Sequence, residues 1–355
     1  MKESIKTITS RFLSKSGYLF LKNLRDGLRS HAKGAAFIGK VVLPLLLRDR
    51  ARPVLISRYV GMGDIVCTVP AVMQLKKRHP KSTFIYSCYA PFQCLPKMAG
   101  IASITTPLRA DVFKAIWSFL FAGIYAFEFS DEKENSANSE TVIADFCRQQ
   151  GVAVSDAHPR LEIAPTTLSK AKRLLGEVIT AGKPIIAIHC GPSWPIREWP
   201  RESWISLLEQ LKRHGFTNIV QLGVGAHSCI GKVQGVTLPN VFSLVDKLSL
   251  EESVALISLC DLLVGIDSGL LHIAACVQTP ALGLFGPTSP KYRFSKKSTC
   301  SFVTSNKECQ GCHHRIPRLH WDDFNGCPYD IACMREIRVE DVLQNCLSRL
   351  LPCPA

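Results

Sequence analysis

The stretch PIIAIHCGPSWPIREWPRESWISLLEQLKRHGFTNIVQLGVG (residues 184–225) decides the fold. Ile185 to His189 is a short apolar run, long enough for a strand and too short for a helix. A polar loop, Cys190 to Trp199, follows it. Pro200 suits a helix start, where a missing N–H costs nothing. Trp204, Leu207, Leu208 and Leu211 then share one helical face, and Gly215 supplies the stop. Asn218–Leu222 is strand-like again and runs into Gly223 and Gly225. Strand, loop, amphipathic helix and strand make a βαβ unit, and such units build parallel sheets covered by helices.

The same alternation extends in both directions. Downstream, Ser249 and Glu252 have capping-box spacing, and Asp261–Gly265 is a strand. Asp267-Ser268-Gly269 turns into a helix through Ala275, and Pro280–Phe285 is a further strand. Upstream, Pro53–Arg58 is a strand, Gly61 and Gly63 mark a turn, and an apolar-periodic segment runs to His79 before Pro80. Thr83–Cys88 is the next strand. Pro70 either kinks that helical segment or begins it. Two series of this kind predict an α/β protein with two doubly wound domains and a ligand cleft. The periodicity breaks at IAPTTLS (163–169). The expected layout is a basic extension over 1–50, one Rossmann-like domain over 51–165, a second over 166–335 with a Cys-rich tail, and a closing helix and tail over 336–355.

The 355 residues carry a formal charge of +14, and residues 1–50 alone account for +8. The rest is mildly basic, with neither a basic recognition helix nor an aromatic stacking platform, so a nucleic-acid partner is not expected. From Ile5 to Leu47 apolar residues alternate with single positive charges, and Leu21, Leu24 and Leu28 have helical spacing. This fits either an amphipathic segment on an anionic membrane surface or a helix packed on the globular body. No run of 18 uninterrupted apolar residues occurs, so a spanning helix is not expected. Without a secretory leader pattern, the expected location is cytoplasmic, peripheral on the inner face of the membrane. Seven of the fifteen cysteines fall after residue 299. Among them Cys309, Cys312, Cys327 and Cys333 have loose zinc-ligand spacing, with buried thiols or a tolerated disulfide as the alternatives.

Three segments can carry chemistry. The first, RYVGMGD (58–64), brings Arg58, Gly63 and Asp64 to the end of a strand. Asp64 there serves as a general base or merely caps the helix. The second, HCGPSWPIREWP (189–200), offers Ser193 and Arg197, the latter a bidentate phosphate partner or an arginine paired with Glu198 or Glu202. The third, GIDSGLLH (265–272), places Asp267, Ser268, Gly269 and His272 at a helix N-terminus, a natural anion site.

The motifs VLISRYVGMGDIVCTVPAV (54–72), IAIHCGPSWPIREWPRESW (186–204) and LSLEESVALISLCDLLVGIDSGLLHIAACVQTPALGLFGPTSP (248–290), in this order, resemble glycosyltransferase family 9. Its best-known members are the ADP-heptose:lipopolysaccharide heptosyltransferases. The resemblance implies a GT-B architecture, with two Rossmann-like domains facing a central cleft. It implies an inverting, metal-independent transfer of a heptose or related sugar from a nucleotide-sugar co-substrate. ADP-heptose is the expected donor, and a lipid-linked oligosaccharide of lipopolysaccharide-core type the expected acceptor. No further cofactor is required. Asp64 would be the base. Arg58, Gly63, Ser193, Arg197, Asp267, Ser268, Gly269 and His272 would hold the donor's phosphates and sugar. Three departures stand out. GVGAHSCIGK (223–232) lacks the acid that some members place on the nucleotide ribose. Ala115–Phe129 is aromatic and apolar and is followed by the charged run Ser130–Glu140. The extension before residue 50 is additional. A non-catalytic nucleotide-sugar-binding protein, and a GT-B transferase with another donor and acceptor, are the alternatives.

Overall fold

A computed structural model describes residues 15–114, 116–128, 141–154, 158–177, 179–227, 233–234, 236–295, 297–312 and 327–351. They form two compact units. The first takes in the described residues up to Tyr59, with Lys76–Gln93 and Ala102–Ala126. The second takes in Val60–Leu75, Cys94–Ile101 and the described residues from Phe127 onward.

The first unit is built on four parallel strands, β1 (Val54–Ser57), β2 (Phe84–Ser87), β3 (Ile104–Thr106) and β4 (Gly123–Ala126), in the order β3-β2-β1-β4. Val54 faces Phe84 on one side and Gly123 on the other. All residues of β1 and β2 are buried, which is why they read as continuous apolar runs rather than alternating ones. The basic extension is helical here, as α1 (Lys15–Phe37), a π-helical turn at Ile38–Val42, and α2 (Leu43–Asp49). Arg50, at φ 52°, ends it in the left-handed conformation. Ile38, Val42 and Leu45 recur at helical spacing and pack with Leu55, Ile85, Phe113 and Phe121. The span Asp26–Asp49 is long and apolar enough to cross a membrane by length and composition, yet its inner face is committed to this core. Leu28, Leu43 and Leu47 face solvent among exposed Arg29, Lys33, Lys40 and Arg48.

In the second unit six parallel strands run in the order β12-β11-β10-β5-β6-β9. They are β5 (Ile185–His189), β6 (Asn218–Gln221), β9 (Phe242–Ser243), β10 (Leu262–Ile266), β11 (Ala281–Phe285) and β12 (Cys300–Thr304). The small antiparallel pair β7 (Ala226–His227) and β8 (Val233–Gln234) stands apart. Helix α3 (Met62–Arg78) runs through Pro70, so the proline is internal and the helix begins at the glycine turn. Helix α4 (Arg201–Arg213) buries Trp204, Leu207, Leu208 and Leu211, as its spacing requires. Helix α5 (Leu250–Ile257) has the expected capping box. The Ser249 N–H donates to Glu252 Oε2 at 2.8 Å and the Glu252 N–H to Ser249 Oγ at 3.2 Å. Helix α6 (Gly269–Cys276) follows β10, and α7 (Val339–Leu350) packs Val342, Leu343, Cys346 and Leu347 into the same core as Trp204. The sequence reading ends the core at β11, but β12 adds a strand beyond it. The run Ser130–Glu140 lies outside the described residues.

Phe113 is fully buried against Phe37, Trp117 and Phe121 and ties the extension to the sheet. Phe113→Ala is expected to cost about 3–5 kcal/mol locally. Hydrogen exchange should report it as faster exchange of the amides of Ile38–Asp49. Unchanged protection there would mean that other contacts hold the extension.

Candidate active site

Within the second unit, helices α3 and α6 bring their N-termini together. A Cβ on Gly63 would lie 2.6 Å from the His272 ring and 3.3 Å from Gly269 Cα. A Cβ on Gly269 would collide with the Met62 side chain and come 3.0 Å from Gly63 N. The two glycines therefore permit the approach. Each helix N-terminus carries a partial positive charge, so their meeting point favours anions. Asp64 lies in the first turn of α3, and its N–H donates to Gly61 O at 3.1 Å.

The loop after β5 adds a cation. Gly191, at φ 119°, precedes a cis peptide bond to Pro192, and a short turn covers Pro195–Arg197. Ser193 N–H donates to Glu198 Oε1 at 3.2 Å, and burial raises the Glu198 carboxyl above its ordinary pKa. Arg197 reaches an acid that its sequence neighbourhood did not suggest. Its Nη1 lies 3.3 Å from Asp267 Oδ2, and its guanidinium sits 4.3 Å from the centre of the Trp194 ring. Trp199 is a packing residue, edge-on to Trp204, with its indole N–H bonded to Ile337 O at 3.1 Å.

Asp267 is the most enclosed charge of the group. Burial pushes its carboxyl up, but Arg197 and Arg293, with a 2.6 Å hydrogen bond from Thr288 Oγ1, outweigh that and hold it below its ordinary value. Ser268 caps α6 without a side-chain cap bond, and its buried Oγ has no hydrogen-bond partner among the described residues. His272 stacks on Phe294 with ring centres 4.3 Å apart, and its Nδ1 is 3.6 Å from Cys67 Sγ. Burial, reinforced by His158, pushes the His272 pKa down to about 3. The imidazole is therefore neutral at physiological pH and adds no charge.

Arg293 was not singled out in the sequence. It ends the short helix Pro290–Arg293, is buried, and places Nη1 3.7 Å from Asp64 Oδ1. Thr288 lies on the same loop. The signal for both was position, since ligands gather outside the carboxyl ends of parallel strands and this loop leaves the end of β11. Another unforeseen residue is Asp246. Its carboxylate accepts from Gly225 N–H, with both oxygens 2.9 Å from that nitrogen, and its own N–H donates to Gly223 O. A carboxylate from the segment after β9 thus lies at the Gly223–Gly225 turn.

Gly63, Asp64, Ser193, Arg197, Asp267, Ser268, Gly269 and His272 all belong to the second unit. Arg58 follows β1 in the first unit, where it is buried and its N–H donates to Ser87 O. Of the tail cysteines, Cys309 and Cys327 are half-buried and Cys312 is buried, as is Cys333. Burial and the neighbouring Cys309, Cys312 and Cys327 push its thiol up to about 12. Among the described residues no group of three or more His, Cys, Asp or Glu side chains is disposed to hold a metal ion. His313, His314 and His320 lie outside the described residues.

The model of the glycosyltransferase family 9 (heptosyltransferase) family matches residues 128–320, more than half of the chain. The chain belongs to glycosyltransferase family 9. Lipooligosaccharide heptosyltransferase 2 of Haemophilus influenzae is 35% identical over 147 residues, which are 38% of this chain and 41% of that protein. The match therefore spans about two fifths of that relative's length. The ADP-heptose lipopolysaccharide heptosyltransferase II of Escherichia coli shares the fold. Its TM-score is 0.61 at 15% identity, covering 84% of this chain and 98% of that one. TibC, described as a dodecameric iron-containing heptosyltransferase in complex with ADP-D-β-D-heptose, gives a TM-score of 0.63 at 19% identity, over 84% of this chain and 76% of its own. The α/β fold expected from the sequence, with its parallel sheets, is the fold of these enzymes.

Gly269→Ala should displace Met62 and the start of α3, lowering the affinity for a nucleoside diphosphate about tenfold or more in calorimetry, because shifts of an ångström at such sites are costly. For His272, the folded pKa of about 3 lies below the ordinary 6.5, so its burial favours folding above pH 6.5 and loses that contribution as pH falls toward 3. His272→Phe should flatten the acid side of the stability–pH curve, and an unchanged slope would count against the buried neutral imidazole.

Proposed function

We propose that this chain is an inverting glycosyltransferase that moves a heptose or related sugar from ADP-heptose to a lipid-linked, lipopolysaccharide-core acceptor. One observation carries the reading. Two carboxylates, two guanidinium groups and two helix N-termini converge at Asp64, Arg197, Arg293 and Asp267–Gly269. A single displacement at an anomeric carbon needs a base for the attacking hydroxyl and positive charge for the departing diphosphate. Asp64 takes the proton of the acceptor hydroxyl as its oxygen attacks. Arg197 and the N–H groups at Ser268 and Gly269 take the diphosphate, and the unpartnered Ser268 hydroxyl meets a phosphate or sugar oxygen. Gly63, Ser193 and His272 complete the donor side. Positive side chains supply the leaving-group charge, so the reading assigns no resident metal to the transfer. The tail thiols are read as structural.

Asp246 supports an adenosine donor. It puts a carboxylate at the glycine turn after β6, where the family resemblance places a ribose acid. The extension supports work at a membrane surface. Its outer face offers Leu28, Leu43 and Leu47 among lysines and arginines, a pattern suited to anionic lipid at the cytoplasmic face.

Three measurements test this. Asp64→Asn should lower kcat about 10²-fold or more while donor binding persists. ADP-heptose at a hundred times its dissociation constant should stabilise the native chain by about 2.7 kcal/mol, and UDP- or GDP-sugars should not. Asp246→Ala should erase that preference for the adenine nucleotide. A selective response to UDP or GDP would move the donor and leave the fold and base in place. Sedimentation with anionic vesicles should capture the wild type and release Leu43→Glu/Leu47→Glu, and equal capture would remove the extension from the membrane role.

A further inference from the structure

Arg293 is unexplained by the donor-binding roles assigned above. It is a buried arginine, 9% exposed in its side chain, facing an acid that is itself only 15% exposed. A guanidinium removed from water needs compensating charge, and here two carboxylates provide it. Nη1 lies 3.7 Å from Asp64 Oδ1, and the positive charge also lowers the Asp267 carboxyl and the His272 imidazole. Arg293 thus touches the electrostatics of both parts of the site, the first turn of α3 and the turn into α6. At 3.7 Å this contact acts on the carboxylate through charge. The arginine is also firmly seated. It closes a short helix opened by Pro290, and the next residue, Phe294, is buried and stacked on His272.

We propose that Arg293 is a positioning residue for the transfer, holding the Asp64 carboxylate in the orientation from which it accepts the acceptor's proton. The inference rests on the reading of Asp64 as the base. Arg293 acts through Asp64, whereas Arg197 serves the donor. Removing Arg293 should therefore act on kcat, and removing Arg197 on donor affinity.

The test is steady-state kinetics with ADP-heptose and acceptor on wild type, Asp64→Asn, Arg293→Met, Arg293→Lys and the double variant Asp64→Asn/Arg293→Met. Circular dichroism and thermal melting confirm that each is folded, and calorimetry with ADP follows donor-site affinity. Arg293→Met should lower kcat about 10²-fold, the scale of a misplaced catalytic group, with the ADP dissociation constant changed less than about threefold. Arg293→Lys should recover most of kcat, since it restores the charge. In the double variant the Met substitution should cost no more than Asp64→Asn alone, the mark of two residues acting as one unit. Wild-type kcat in Arg293→Met, with Asp64→Asn inactive, overturns this inference and leaves the base reading standing. Weakened ADP binding at unchanged kcat, or additive losses in the double variant, overturns it as well. Full activity in Asp64→Asn overturns the base reading and this inference together. Should Arg293→Met fail to fold, Arg293→Lys and Arg293→Gln carry the same comparison, and equal kcat in Lys and Gln variants rejects the charge-steering role.

Discussion

A buried carboxylate has to be balanced, and Asp267 is where this molecule meets that requirement. Removing a charge from water costs several kcal/mol unless partners replace the lost hydration. Asp267 has Arg197 at 3.3 Å, a 2.6 Å hydrogen bond from Thr288 and the field of Arg293. These partners come from two strand ends, after β5 for Arg197 and after β11 for Thr288 and Arg293, and Asp267 itself follows β10. The three strands are neighbours in one parallel sheet. The charge network thus depends on strand order, and it fixes the loops that carry the candidate chemistry.

The steric counterpart is the pair Gly63 and Gly269. Neither position has room for a Cβ without moving a helix end. Their close approach lets the first turn of α3 and the first turn of α6 address one small volume, with Asp64 on one and Ser268 on the other. His272 contributes bulk and shape there, because its desolvated ring remains uncharged and stacks on Phe294. Positive charge is left to arginine side chains and helix termini, which suits a diphosphate leaving group.

The extension follows another logic. Its inner face is spent on Phe113, Leu55 and Ile85, while its outer face keeps three exposed leucines in a basic setting. A helix that is long and apolar enough to span by composition is here divided between packing and exposure. Both alternatives left open by its sequence pattern are therefore compatible, since packing uses one face and leaves the other available.

The sequence by itself determined the elements with strong local signals. The capping box at Ser249–Glu252, the face of Trp204, Leu207, Leu208 and Leu211, and the strands at 185–189 and 281–285 were all legible, because period, caps and breakers act over a few residues. The three motifs around Asp64, Arg197 and Asp267 were legible for the same reason, and they named the family. Weak or short strands such as β3, β4, β9 and β12 were not, because a strand of two to five residues at a sheet margin carries little periodicity. Only the tertiary structure decided which charge meets which. Arg197 lies one residue from Glu198 in the chain, yet its partner is Asp267, seventy positions away. Arg293 and Asp246 carry no motif of their own. They matter because parallel pairing sets the carboxyl ends of distant strands side by side, and sequence spacing does not encode that adjacency.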